Sequence, residues 1–133
     1  MPFVFDASIA ASWALADEAS EFADLAQNKL LTDVGLVPPI WWYEVRNILV
    51  VNERRNRIGL EESNLFLSLL ATYPIEIDPS IEQDRTFELA RQHRLTVYDA
   101  AYLELALRNH LPLATLDHAL EEAALVAGVA RLA

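Results

Sequence analysis

LTVYDAAYLELALRNHLPLATLDH, residues 95–118, decides how the rest of the chain is read. After Asp99, the residues Ala100, Leu103, Ala106 and Leu107 recur at helical spacing, and Asp99 falls on the same stripe one turn before Leu103. The helix therefore enters the core with an acid at its inner N-terminal corner. Asn109, His110 and Pro112 stop it, and LPLATL is short and apolar enough for a buried strand with Asp117 at its C-terminal tip. In open parallel α/β sheets ligands sit at the carboxyl ends of strands, so an acid there is a site candidate. Asp is also a favoured N-cap, and either residue taken alone could be doing no more than accepting backbone N–H bonds.

The same design opens the chain. Phe3, Val4 and Phe5 form an apolar β run ending on Asp6, Ala7 to Leu15 reads as a small-residue helix, and Ser8 stands close enough to offer Asp6 a hydroxyl. Ser20 begins a helix lined by Phe22, Leu25, Ala26 and Leu30; Leu36-Val37 is a brief strand; Pro38-Pro39 ends it and opens the next helix. That helix, expected from about Ile40 to Asn56, carries an apolar stripe of Trp41, Val45, Ile48 and Val51 on which Glu44 also lies. Burying a carboxylate costs several kcal/mol unless it is paired or bound to a metal, so Glu44 asks for a partner. Asn47, one turn on, shares the face and is a candidate to orient Glu44 or a bound water. The run Glu53-Arg54-Arg55-Asn56-Arg57 puts cations at the helix C-terminus, where they complement its dipole.

Beyond Gly59, Leu60 to Tyr73 forms an amphipathic helix with Leu65, Phe66, Leu69 and Leu70 on one side, and Ile75-Glu76-Ile77 alternates as a partly exposed strand. Ser80 and Gln83 have capping-box spacing ahead of a helix carrying Phe87, Leu89 and Ala90. A last helix is expected over His118 to Ala127, stopped by Gly128 and followed by a strand at Val129 to Leu132. Strand and helix alternate throughout, which predicts an α/β fold with a parallel sheet covered on both faces.

Composition narrows the function. The 133 residues are 53% hydrophobic, which predicts one compact domain over 1–133. The longest uncharged run, Ser63 to Ile75, is thirteen residues, too short to span a membrane, and the start lacks a basic signal region; a soluble cytoplasmic protein is expected. Without cysteine there are no disulfides, no thiol catalysis and no thiolate-bound zinc, and His93, His110 and His118 lack metal-ligand spacing. A net charge of −10 disfavours nucleic-acid binding through a broad basic face, so any such contact must be local or metal-assisted. The same excess suits a basic partner protein.

Asp6 and Asp117 are strand-end acids, and Glu44 and Asp99 are helix acids on inward faces, so all four are able to converge at one sheet edge. Four hard oxygen donors make a site for magnesium, with manganese as an alternative, rather than zinc. Such a cluster repels itself: at about 6 Å and an effective dielectric near 20, each like-charged pair costs roughly 3 kcal/mol, which a divalent cation reverses.

At these residues the chain resembles a PIN-domain ribonuclease of the VapC toxin type. The resemblance covers essentially the whole length and rests on FVFDAS, YEVRN, LTVYDAAYLELA and LATLDHAL, in that order. It implies a three-layer PIN-like α/β/α fold with a central, mainly parallel sheet. It implies a metal site in which Asp6, Glu44, Asp99 and Asp117 correspond to the family's acids, with Ser8 and Thr115 at its supporting polar positions. It further implies carboxylate-held magnesium, a water positioned for in-line attack on an RNA phosphodiester, and a VapB-like antitoxin that covers the site. The further acid common just after the fourth motif is replaced here by His118 and Ala119. Excess apolar residues at Trp41, Trp42, Tyr43, Val50 and Val51 and over Leu65 to Leu70 predict interfaces, expected to be a homodimer and a complex with the antitoxin.

Three other readings fit less well. A receiver or phosphatase-like domain needs a lysine or threonine beside its phospho-acceptor Asp, and the sole lysine, Lys29, lies far from the motifs. A PIN-like module that only binds protein would not need all four acids. Nucleotide binding lacks a phosphate loop, since Gly35, Gly59 and Gly128 are isolated.

Overall fold

The computed structural model describes all residues 1–133. Four parallel strands, β1 (Phe3–Phe5), β2 (Gly35–Val37), β3 (Ile75–Ile77) and β4 (Leu113–Ala114), form one sheet in the order β3-β2-β1-β4. Around it lie α1 (Ala7–Ala14), α2 (Glu21–Lys29), α3 (Ile40–Arg54), α4 (Leu60–Leu70), α5 (Gln83–His93), α6 (Val97–Asn109) and α7 (His118–Val126), with a 3-10 turn at Ala16–Glu18. The fold is the three-layer PIN-like α/β/α arrangement, and the sheet is parallel throughout rather than mainly so.

Strand order positions the site. The chain steps outward from β1 to β2 to β3, then returns through α5 and α6 to lay β4 on the other side of β1. The direction of winding reverses between β1 and β4, the place where a doubly wound sheet opens a crevice at its strand carboxyl ends. Phe3, Val4 and Phe5 are fully buried, as a central strand covered on both faces must be. Val4 pairs with Leu36 on one side and with Leu113 on the other, while Phe5 pairs with Ala114. Gly35 is required beside β1, because a Cβ there would lie 2.6 Å from the Phe5 ring and 2.9 Å from Leu30.

Several elements depart from the sequence reading. The Val129–Leu132 strand is reduced to a single parallel bridge between Leu113 and Arg131, although Val129 and Leu132 are buried. Helix α3 ends at Arg54 because Asn56 turns into the left-handed region, φ 58°, and Arg57 bonds across to Asn52 and Asp17. Its buried stripe is Trp41, Val45, Leu49 and Asn52, with Ile48 and Val51 half-buried at its margin. The Ser80/Gln83 capping box does not form, since Asp78 accepts the Ser80 N–H in a turn and α5 starts from Glu82 without a side-chain cap. In α4 only one side of the expected stripe is core: Phe66 and Leu70 are buried, and Leu65 and Leu69 face out.

Candidate active site

The strand-to-helix turn after β1 places Asp6 at the centre of the carboxyl edge. Asp6 caps α1: Oδ1 accepts N–H bonds from Ser8 at 3.1 Å and Ile9 at 3.4 Å, and the Ser8 hydroxyl donates to the same oxygen at 2.5 Å. Oδ2 accepts from the Thr115 hydroxyl at 2.5 Å. Thr115 in turn accepts the Asp117 N–H at 3.0 Å, and the Ser8 hydroxyl accepts the Leu116 N–H at 2.9 Å. Ser8 and Thr115 thus lock the ends of β1 and β4 together through Asp6. The capping reading of Asp6 is therefore correct, and its second oxygen is engaged by Thr115 rather than by the cap. It is 4% exposed, and burial, reinforced by the charge of Asp99, pushes its carboxyl up to about 6 against the opposing hydroxyl and amide bonds.

Asp99 stands apart from the capping chemistry of its own helix. Thr96 is the N-cap of α6 and accepts the Asp99 N–H at 3.0 Å, so the Asp99 carboxylate is not needed there. Burial raises its pKa and the Asp117 charge raises it further, while the Thr96 hydroxyl opposes both. Asp117, exposed, caps α7 through Oδ1 to the Leu120 N–H at 3.0 Å. Glu44 on α3 is half-buried, and its carboxyl is likewise raised, first by burial and then by Asp99, against one hydrogen bond from Tyr102. The Asp99 charge acts on Asp6 and on Glu44, and the Asp117 charge acts on Asp99. Asp99 is therefore linked through its charge to each of the other three acids.

No three Asp, Glu or His side chains stand close enough together here to grip a single ion. The donor chemistry nonetheless fits a hard divalent cation: the acids are oxygen donors only, with no arginine or lysine bonded to any of the four to neutralise them. Two cavities of about 480 and 500 Å³ are lined by none of the four acids. The first lies at the opposite, amino end of the sheet around Lys29 and His110; the second lies between α5 and α6.

Tyr102 was not among the residues singled out from sequence. Its hydroxyl donates to Glu44 Oε1 at 2.5 Å, it is 1% exposed, and burial together with the surrounding carboxylates drives its pKa far above that of a free phenol. The available signal was a tyrosine on a buried helix face three residues after Asp99, since a buried phenol needs an acceptor. Asn47, the expected companion of Glu44, is exposed and makes no hydrogen bond to it.

The PIN domain family model matches residues 3–126. The chain belongs to the PIN-domain family. Ribonuclease VapC3 of Pyrobaculum aerophilum is 34% identical over 128 residues, which span 92% of this chain and 94% of that protein. This places the chain among VapC-type members. Two crystal structures share the fold. PAE2754 from Pyrobaculum aerophilum superposes with a TM-score of 0.69 at 22% identity, covering 92% of this chain and 87% of that one. VapC20 of Mycobacterium tuberculosis, a toxin that cleaves the sarcin-ricin loop, superposes with a TM-score of 0.63 at 12% identity, covering 98% of each.

Proposed function

We propose that this PIN-domain protein is a toxin-type endoribonuclease that hydrolyses RNA phosphodiester bonds with a carboxylate-bound divalent cation, magnesium or manganese. The observation that carries the reading is the uncompensated acid edge: Asp6, Glu44 and Asp99 all have raised pKa values, and none is paired with a cation of the protein. Asp6, Asp99, Asp117 and Glu44 are the residues to hold the ion. When bound, the ion neutralises charge developing on a phosphate and lowers the pKa of a water. The protein's own contribution is placement. Ser8 and Thr115 fix the Asp6 carboxylate, Thr96 rather than Asp99 caps α6, and Asp117 offers its uncapped oxygen. Divalent-metal-dependent cleavage of RNA by the purified protein, abolished by EDTA, is the direct test; no cleavage of any RNA tested, with both magnesium and manganese, would count against it.

Neutralisation by a cognate VapB-like antitoxin, homodimerisation and a cytoplasmic location complete the proposal. Their support is an exposed apolar set, with Trp42, Tyr43 and Val50 on α3 and Leu65 and Leu69 on α4 open to solvent. Trp41, Phe66 and Leu70 leave that set because they are core residues. A basic antitoxin segment fits the −10 charge, and no helix is long and apolar enough to cross a membrane. A monodisperse monomer in light scattering at micromolar concentration would exclude the dimer.

A further inference from the structure

Among the four acids, Glu44 alone is held by a single side chain from another helix. Asp6 and Asp117 are fixed by the helix starts they cap, whereas Glu44 sits inside α3 and its one hydrogen bond comes from Tyr102 on α6. Buried at 1% exposure, the Tyr102 hydroxyl has no water to turn to, and leaving it unpaired would carry a large desolvation penalty. Residues three apart on a helix are neighbours on its surface, so Tyr102 lies one turn beyond Asp99. The bond therefore ties the acid of α3 to the helix that carries Asp99. A half-exposed glutamate left alone samples several rotamers, and ordering it has an entropic cost. Bonded at Oε1, Glu44 has its orientation set and keeps Oε2 free of any protein donor.

We infer that Tyr102 is a positioning residue: it fixes the Glu44 carboxylate so that Oε2 serves the divalent cation alongside Asp99. The inference rests on the metal-nuclease reading above. Tyr102 acts through Glu44, to which its hydroxyl is committed. Groups that orient metal-ligating side chains commonly change metal affinity by about 10- to 100-fold when removed.

The experiment measures Mn2+ affinity of the RNA-free protein, from the electron paramagnetic resonance signal of unbound Mn2+, for wild type, Tyr102→Phe, Glu44→Gln and the double variant. Circular dichroism and melting in EDTA report the fold. Tyr102→Phe is expected to melt cooperatively and to bind Mn2+ about tenfold more weakly. Glu44→Gln is expected to lose at least as much, and the double variant no more than Glu44→Gln alone, because Tyr102 has no other route to the ion. Wild-type affinity in Tyr102→Phe, or losses that multiply in the double variant, would overturn the inference. Should Tyr102→Phe not fold, Glu44→Asp, which shortens the acid on the half-exposed side of the pair, takes its place. Unchanged Mn2+ affinity in Glu44→Asp overturns the inference equally. If wild type itself binds no Mn2+, the metal-nuclease reading falls together with this one; if only Glu44→Gln loses the ion, this one falls alone.

Discussion

Two carboxylates are buried to nearly the same degree, Asp6 at 4% and Glu104 at 5% exposure, in opposite surroundings. Glu104 accepts three hydrogen bonds from the Arg108 guanidinium, at 2.9, 3.0 and 3.1 Å, and Arg108 reaches on to Asp78 at 3.1 Å. Asp6 accepts only from hydroxyls and backbone amides, and the charge acting on it is the negative one of Asp99. This chain neutralises a buried acid with arginine where packing is the only requirement, and omits the cation at the sheet edge. Burial alone therefore does not mark a site. The missing counter-charge is what separates the acids proposed to hold the ion from Glu104, and both cases adjoin one helix, since α6 carries Asp99, Tyr102, Glu104 and Arg108.

The largest expected difference between the two regions is in cleavage. Asp99→Asn removes the hub of the acid edge and should lower metal-dependent RNA hydrolysis by about 10³-fold or more, roughly 4 kcal/mol in barrier. Arg108→Met should leave the rate per folded molecule within about threefold, under ~1 kcal/mol. Single-turnover rates on one RNA decide it, and equal losses in the two variants would erase the distinction.

The next effect is a pH dependence confined to one side of the comparison. A carboxyl whose folded pKa lies near 6 against 3.8 binds its proton more tightly in the native state, so its contribution is complete below about pH 4 and is lost as pH rises through 6. The shift corresponds to ~3 kcal/mol at most, and Glu44 and Asp99 act with the same sign. In EDTA the protein should therefore be more stable at pH 5 than at pH 7.5, and Asp6→Asn should flatten that slope. Asparagine suits the position: its oxygen still accepts from Ser8 and Ile9, and its amide donates to the Thr115 hydroxyl oxygen. Urea unfolding at the two pH values is the measurement, and a slope unchanged in Asp6→Asn would show that Asp6 is not its source.

Arg108→Met tests the other side. It strands Glu104 in the core, and removing one partner of a buried pair is costly; because Arg108 is partly exposed, the expected loss is ~2 kcal/mol rather than the full amount. A loss below ~0.5 kcal/mol in urea unfolding would mean that water already does the work of Arg108.

Legibility from sequence followed the range of the interaction. The β1 strand, its acid tip and the α6 stripe are local patterns of two or three residue types, and they stand where the spacing put them. Helix ends were less legible, because competing caps lie within a few residues: the Ser80/Gln83 spacing was available, but a turn at Asp78 took Ser80, while α6 is capped by Thr96 three residues before Asp99. The Val129–Leu132 segment has strand composition and a strand's burial, yet its pairing with the sheet is a single bridge at Leu113, which composition does not reveal. Tyr102 was hidden for a different reason. Its acceptor is 58 residues away in sequence, and a lone tyrosine in an apolar helix reads as core until the second helix is in place.

Asn47 supplies the smallest and sharpest test, because it shares α3 with Glu44 and lies within one turn of it, yet has none of the features that distinguish the site. It is exposed and bonds neither Glu44 nor Tyr102, so removing its amide leaves no buried group unpaired. What remains is helix propensity, on which alanine exceeds asparagine by roughly 0.5 kcal/mol at an exposed interior position. Asn47→Ala should then be slightly more stable than wild type in EDTA, with Mn2+ affinity unchanged, whereas Glu44→Gln, three residues earlier, loses the ion. A fall in Mn2+ affinity without a fall in stability would assign Asn47 to the bound water or ion after all, and would extend the acid edge one turn along α3.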